Sequence, residues 1–210
     1  MAITFPRTDI LTAVGFTPPF AFDPVSRQEL SRQAGGRTIG KDLGPELWFT
    51  AYTTEELLND DALDYATMLQ SLDGVINPFE AWDLRRPTPR AHKDGSGNDG
   101  VLETVNVNNK ALTLSGLVPG QIVSRGDYLS FDYGDSRALH RVQETVTADG
   151  DGLSPEFEVR PHLRFGWELE TVVAVKSPRG IFTLIPGSVV SRQTRGTFGI
   201  VSFQAVQYIP

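Results

Sequence analysis

The 210-residue chain contains no cysteine. Disulfide scaffolds, cysteine-ligated zinc and thiol catalysis are therefore excluded. No apolar run approaches the roughly 20 residues that a membrane-spanning helix needs. The opening segment MAITFPRTDI has neither the basic stretch nor the apolar centre of a signal peptide. Membrane insertion is not expected, and folding in a cytoplasm is. Basic charge is short too: 19 Lys and Arg stand against 26 Asp and Glu, a net charge of −7. A general nucleic-acid binder would carry a basic stripe, whereas an acidic surface repels phosphates and keeps the chain soluble. The three histidines, His92, His140 and His162, lie too far apart for a helical metal pair, and structural or surface roles are expected for them. Gly-x-Ser-x-Gly, His-Glu-x-x-His and P-loop motifs are absent. No catalytic residue, metal site or cofactor is expected, and the chain reads as a non-enzyme.

What is present is turn chemistry and short alternating segments. Twenty Gly and fourteen Pro are more than a helical bundle uses, and 40% apolar residues suffice for a packed core. Residues 1–20 read as an extended, Pro-interrupted arm with an edge strand. A strand is expected over 21–33, followed by the turn AGGRTIG. Leu47–Thr54 alternates Leu47, Phe49 and Ala51 against Trp48, Thr50 and Tyr52, the pattern of a strand covered on both sides. One helix, about 59–73, is predicted from Leu58, Ala62, Tyr65, Leu69 and Leu72, which share a face. Asn59 or Asp60 can cap it, Asp60 and Asp61 complement its dipole, and Gly74 suits its end. Val75–Asp83 reads as a strand broken by Pro78. Leu84–Gly100 reads as a linker or long loop. From Val101 to Ile185 come short strands at spacings that suggest a small barrel or sandwich. The terminal Thr197–Ile209 is the longest clean strand.

Several clusters invite a functional reading and have a simpler one. The carboxylates of Asn59–Asp64 fit a helix N-terminus, and those of Asp149–Gly152 form no defined pair. Asp94–Gly100 lacks the final glutamate of a calcium loop. Trp48, Trp82, Tyr52 and Phe79 could stack on a sugar, but core packing against the helix explains them. Arg85 and Arg86, in LRRP, read equally as contacts to an acidic neighbour or as a solvated linker start.

Taken in order, these blocks resemble the distal tail protein of long-tailed bacteriophages and prophages, a tail-tip ring protein. The resemblance spans about residues 35–200. It is carried by GGRTIGKDLGPELWFTAYTTEEL, ALDYATMLQSLDGVINPFEAWDLRRPTPRA, and GLVPGQIVSRGDYLSFDYGDSRALHRVQETVTADGDG followed by FEVRPHLR. It implies a mainly β chain: a β-sandwich ring-forming domain with one packed helix, and an inserted small β-barrel of OB-like type. The expected boundaries are 1–88 with 190–210 for the ring-forming domain and 89–189 for the barrel. The implied role is a structural one, a ring in the virion, commonly a hexamer in that family, that joins the tail tube protein to the hub and lets DNA pass. The implied partners are other copies of the chain, the tube protein, and hub and other tail-tip proteins. Phe5, Ile10, Leu11, Phe16, Phe20, Arg85 and Arg86 are the candidate interface residues. The alternatives are a carbohydrate-binding module for host attachment, for which Trp167 is the only tryptophan in the barrel region, and a hydrolase of unrecognised type.

Overall fold

A computed structural model describes residues 3–210; Met1 and Ala2, the start of the expected arm, lie outside them. In chain order the first elements are β1 (Ala21–Val25), β2 (Gln28–Arg32), β3 (Thr38–Asp42), β4 (Leu47–Thr53), β5 (Leu57–Leu58), α1 (Asn59–Gln70) and β6 (Phe79–Ala81). Then follow β7 (Gly100–Val105), β8 (Ala111–Ser115), β9 (Ile122–Val123), β10 (Tyr128–Tyr133), β11 (Ser136–Val142), β12 (Val146–Thr147), β13 (Phe157–Arg160) and β14 (Val172–Ala174). The chain closes with β15 (Gly180–Leu184), β16 (Val190–Arg195) and β17 (Phe198–Gln207). The fold is mainly β, and α1 is the only α-helix among the described residues.

Two assemblies of strands result. A seven-stranded sheet runs β1-β4-β17-β15-β6, with β5 and β16 pairing the start of β17. Strands β10-β11-β13-β8-β7-β14 form a closed barrel whose strand pairs are all antiparallel. Closure removes the open edges that a flat sheet of these short strands would expose. The terminal strand meets the early one directly, with Ser202–Val206 opposite Thr53–Phe49. β15 lies within the span expected for the barrel, yet it pairs with β6 and β17 in the large sheet. The barrel strands themselves end at Ala174.

Each assembly has its own core. Leu102, Leu112, Leu114, Leu129, Phe131, Phe157, Val159 and Val173 fill the barrel. Ile10, Phe22, Trp48, Tyr65, Leu69, Phe79, Phe182 and Phe203 form the core under the sheet. Tyr128 and Leu139 belong to barrel strands but point outward into that second core, because successive strand residues face opposite sides. The outer face of β10 and β11 thus covers the sheet.

The helix differs from its expected form at both ends. Leu58, assigned to its buried face, lies in β5 opposite Phe198 and is 53% exposed. Asn59 does not cap; its N–H donates to Thr197 O at 2.8 Å and its side chain reaches Gly196 O. The helix ends at Gln70, and tighter bonds from Leu72 to Leu69 O and Asp73 to Gln70 O carry the chain into a turn. Val75–Asp83 is strand only at Phe79–Ala81, and the expected 21–33 strand divides at Ser26 into β1 and β2.

One turn glycine is sterically required. Gly152 has φ +78°, and a Cβ there would sit 2.2 Å from Leu117 O, whereas a Cβ on Gly150 meets nothing within 4 Å. Gly152→Ala is expected to lose about 1–3 kcal/mol in urea unfolding, and Gly150→Ala to stay within about 0.5 kcal/mol. Equal losses would refute the steric account. Leu69 is fully buried and Leu63 is 60% exposed on the same helix. Leu69→Ala should therefore cost about 2–5 kcal/mol, with Leu63→Ala near neutral; a reversed order in thermal melts would mean that the buried face is misassigned.

Candidate interface

The expected interface residues separate into three groups. Ile10 is 0% and Leu11 4% exposed. Both sit in the chain's own core, so they are not available to a partner. Phe16 packs its ring 5.5 Å from Tyr52 and 6.4 Å from both Tyr65 and Phe203. The arm is tied to its own sheet by backbone bonds: Arg7 N–H to Pro78 O, Glu80 N–H to Arg7 O, Thr17 N–H to Thr53 O and Glu55 N–H to Gly15 O. Tyr65 also donates to Ile10 O. Phe5 remains exposed and Phe20 half-buried.

Arg85 and Arg86 find their acidic neighbours within the chain, at the seam between sheet and barrel. Asp83, 5% exposed, accepts from Arg85 Nε at 2.9 Å and from the Tyr128 hydroxyl at 2.8 Å. Arg85 also donates to Phe22 O at 3.1 Å. Arg86 donates to Arg125 O at 3.1 Å and lies 3.5 Å from Asp127. Asp127 is fully buried and also accepts the backbone N–H groups of Arg90 and Ser124. A buried carboxylate persists only when its lone pairs are met in this way. The two arginines therefore meet carboxylates within the chain, at the seam, and both side chains stay partly exposed.

The same seam carries further sheet–barrel contacts. Trp48 Nε1 donates to Leu139 O at 2.7 Å. The Arg141 guanidinium lies 4.9 Å from the Trp48 ring centre and 5.6 Å from that of Tyr128. Glu80 joins Arg137 at 2.8 Å and Arg179 at 3.1 Å. The segment expected as a linker is fastened as well. His92 Nε2 accepts the Ile122 N–H, Asp99 accepts those of Val175 and Lys176, and Gln121 bonds Asn98 in both directions. Composition could not reveal this, because each partner lies more than 20 residues away.

The remaining candidates have local roles. Asp149 accepts the N–H groups of Asp151 and Leu153, and Asp94 accepts the N–H and the hydroxyl of Ser96, so both cap turns. Among the described residues no group of three or more His, Asp or Glu could hold a metal ion. Trp167 packs on the barrel core and donates to Asn109 at 2.9 Å, so its edge is engaged within the chain. No helix of the described residues is long and apolar enough to cross a membrane.

One wholly exposed element is the β2–β3 ribbon. Every residue of both strands is exposed, including Leu30 at 68% and Ile39 at 47%. β2 pairs only with β3, as a separate two-stranded sheet. The sequence signal for it was the Gly-Gly turn; its separation from the main sheet was not legible, since nothing in residues 26–33 announces that pairing stops. The fold is thus that of a mainly β chain built on an open sheet and a closed six-stranded antiparallel barrel. No family model matches the chain, and no curated protein matches it.

His140, stacked on Phe131 of the barrel core, supplies a test of the barrel. It is 4% exposed, its Nδ1 lies 2.8 Å from Pro161 O, and burial pushes its pKa down to about 4. The folded state therefore resists protonation that the unfolded chain accepts near pH 6.5. Stability contributed by neutral His140 is present above that value and is lost as pH falls toward 4. The full loss is about 3 kcal/mol. Asparagine can keep a donor toward Pro161 O but cannot charge, so His140→Asn should lose less stability than the native chain between pH 7 and 4 in urea titrations. Parallel pH profiles would show that His140 does not titrate with unfolding.

Proposed function

We propose that this chain is a structural subunit of a bacteriophage tail tip, assembling into a hexameric ring that joins the tail tube to the hub. In this reading the sheet with its helix is the sandwich-type ring-forming unit, and the closed barrel is an OB-like peripheral module with no catalytic role. The tube protein and the hub would contact the two ends of the ring, in the virion. DNA would cross the lumen only in transit, helped by the net charge of −7, which disfavours adhesion of phosphates.

The observation that supports a self-assembling subunit best is the isolated β2–β3 ribbon. A two-stranded hairpin alone in water is at best marginally stable. This one leaves both faces and both outer edges open while presenting two aliphatic side chains, so contact with another chain would complete it. The order of the sequence blocks supports the tail-tip assignment. Native mass spectrometry of the full chain at micromolar concentration should give a six-fold species. A monomer throughout the accessible concentration range would overturn the proposal.

A further inference from the structure

We infer that a small cavity between the barrel and the sheet binds one water molecule, held jointly by Tyr133, His140 and His162. Such a water joins the two bodies of a single chain, whether or not that chain forms a ring.

The cavity lies where β10 and β11 meet the ends of β4 and β17. Tyr133 ends β10, His140 belongs to β11, and His162 and Arg164 follow β13. Glu46, just before β4, and Gln207, the last residue of β17, line it from the sheet side. Room for the centre of a water-sized sphere amounts to about 10 Å³. That is close to the least that one water requires, and it leaves no place for a larger ligand.

Three buried polar atoms of the lining residues have no hydrogen-bonding partner among the described residues: Tyr133 Oη, His140 Nε2 and His162 Nδ1. Among the described residues Arg141 Nε is the only other buried side-chain atom in that condition. Buried polar groups without a partner are uncommon, and three of these four belong to one cavity.

The chemistry of the lining specifies the ligand. His140 Nδ1 lies 2.8 Å from Pro161 O. A carbonyl oxygen can only accept, so Nδ1 carries the proton of the neutral ring. Burial keeps that ring neutral by pushing its pKa down to about 4. Nε2 is therefore a bare lone pair, on a residue only 4% exposed, and it needs a donor. Burial lowers the pKa of His162 as well, and its Nδ1 offers either a lone pair or an N–H according to the tautomer. Tyr133 contributes a single O–H. That hydroxyl can meet one ring nitrogen directly, but it then leaves the other unmet. A water has two donors and two acceptor sites. It can give one hydrogen to His140 Nε2, accept from Tyr133 Oη, and still serve His162 Nδ1 in either tautomer. Two further side chains of the lining are engaged with the sheet. Arg164 donates to Pro45 O at 3.3 Å, and Gln207 Oε1 accepts the Trp48 N–H at 3.4 Å. A cation is disfavoured in the cavity, because the positively charged Arg164 lines it.

The test is a high-resolution crystal structure of the native full chain at pH 7, together with a double-mutant cycle in solution. The expected density is a single ordered water about 2.7–3.2 Å from His140 Nε2 and from at least one of Tyr133 Oη and His162 Nδ1. Direct bonds among the three side chains, a dry cavity, or a metal or halide ion in it would overturn the inference. In solution, Tyr133→Phe removes the hydroxyl, and His140→Asn removes Nε2 while keeping a donor toward Pro161 O. Each alone should lower the folding equilibrium constant about fivefold or more in urea titrations at pH 7. The double variant should lose at least about threefold less than the product of the two single losses, because both side chains act through the same water. Losses that multiply would show that they share no bridging molecule. If His140→Asn does not unfold cooperatively, His162→Phe replaces it in the cycle under the same criterion.

Discussion

The fold depends on where its last strand lies. β17 is the longest strand and occupies the middle of the large sheet, with β4 and β5 on one side and β15 and β16 on the other. Val201, Phe203 and Ala205 project from it into the core beneath the helix. The early strand β4 therefore gains its inner partner only when the C-terminus arrives, after the whole barrel. Pairings of this sequence separation require loop closure before they stabilise anything. The barrel's strand neighbours all lie within its own stretch of chain, the most widely separated pair being β7 with β14.

Between these two bodies the seam is polar in a way that ordinary cores avoid. Asp83 and Asp127 are buried at its centre, and each is held by arginine and by main-chain or hydroxyl donors. Removing any one donor would leave a buried carboxylate short of partners, a larger penalty than the net worth of the bond itself. Such an arrangement fixes orientation: an apolar seam would tolerate sliding, whereas these bonds are satisfied in one register only. Trp48 adds to the same constraint, since its ring stacks under Arg141 while its N–H is committed to Leu139 O.

The seam also bears on which surfaces stay exposed. With Arg85 and Arg86 spent within the chain and Ile10 and Leu11 in the core, the surfaces that remain are peripheral: the free ribbon, a groove beside α1, and the exposed edge strand β16.

Much of the local structure was legible from residue order alone. The alternation around Trp48, the face shared by Ala62, Tyr65 and Leu69, and the punctuation of the short barrel strands depend on neighbours within a few residues, and backbone periodicity turns those directly into buried and exposed faces. The terminal strand was legible for the same reason. Tertiary structure alone decided the rest. The apolar arm looked available because sequence records hydrophobicity and not what covers it; its own sheet covers Ile10 and Leu11. Leu58 fits the helical spacing, yet the β5 pairing with β17 turns it outward. The arginines of LRRP declare a need for carboxylates, but that Asp83 and Asp127 meet it, rather than another chain, follows from a barrel folded back against its sheet. Contacts between residues far apart in the chain leave no periodic trace in it, and those contacts determined which surfaces were left exposed.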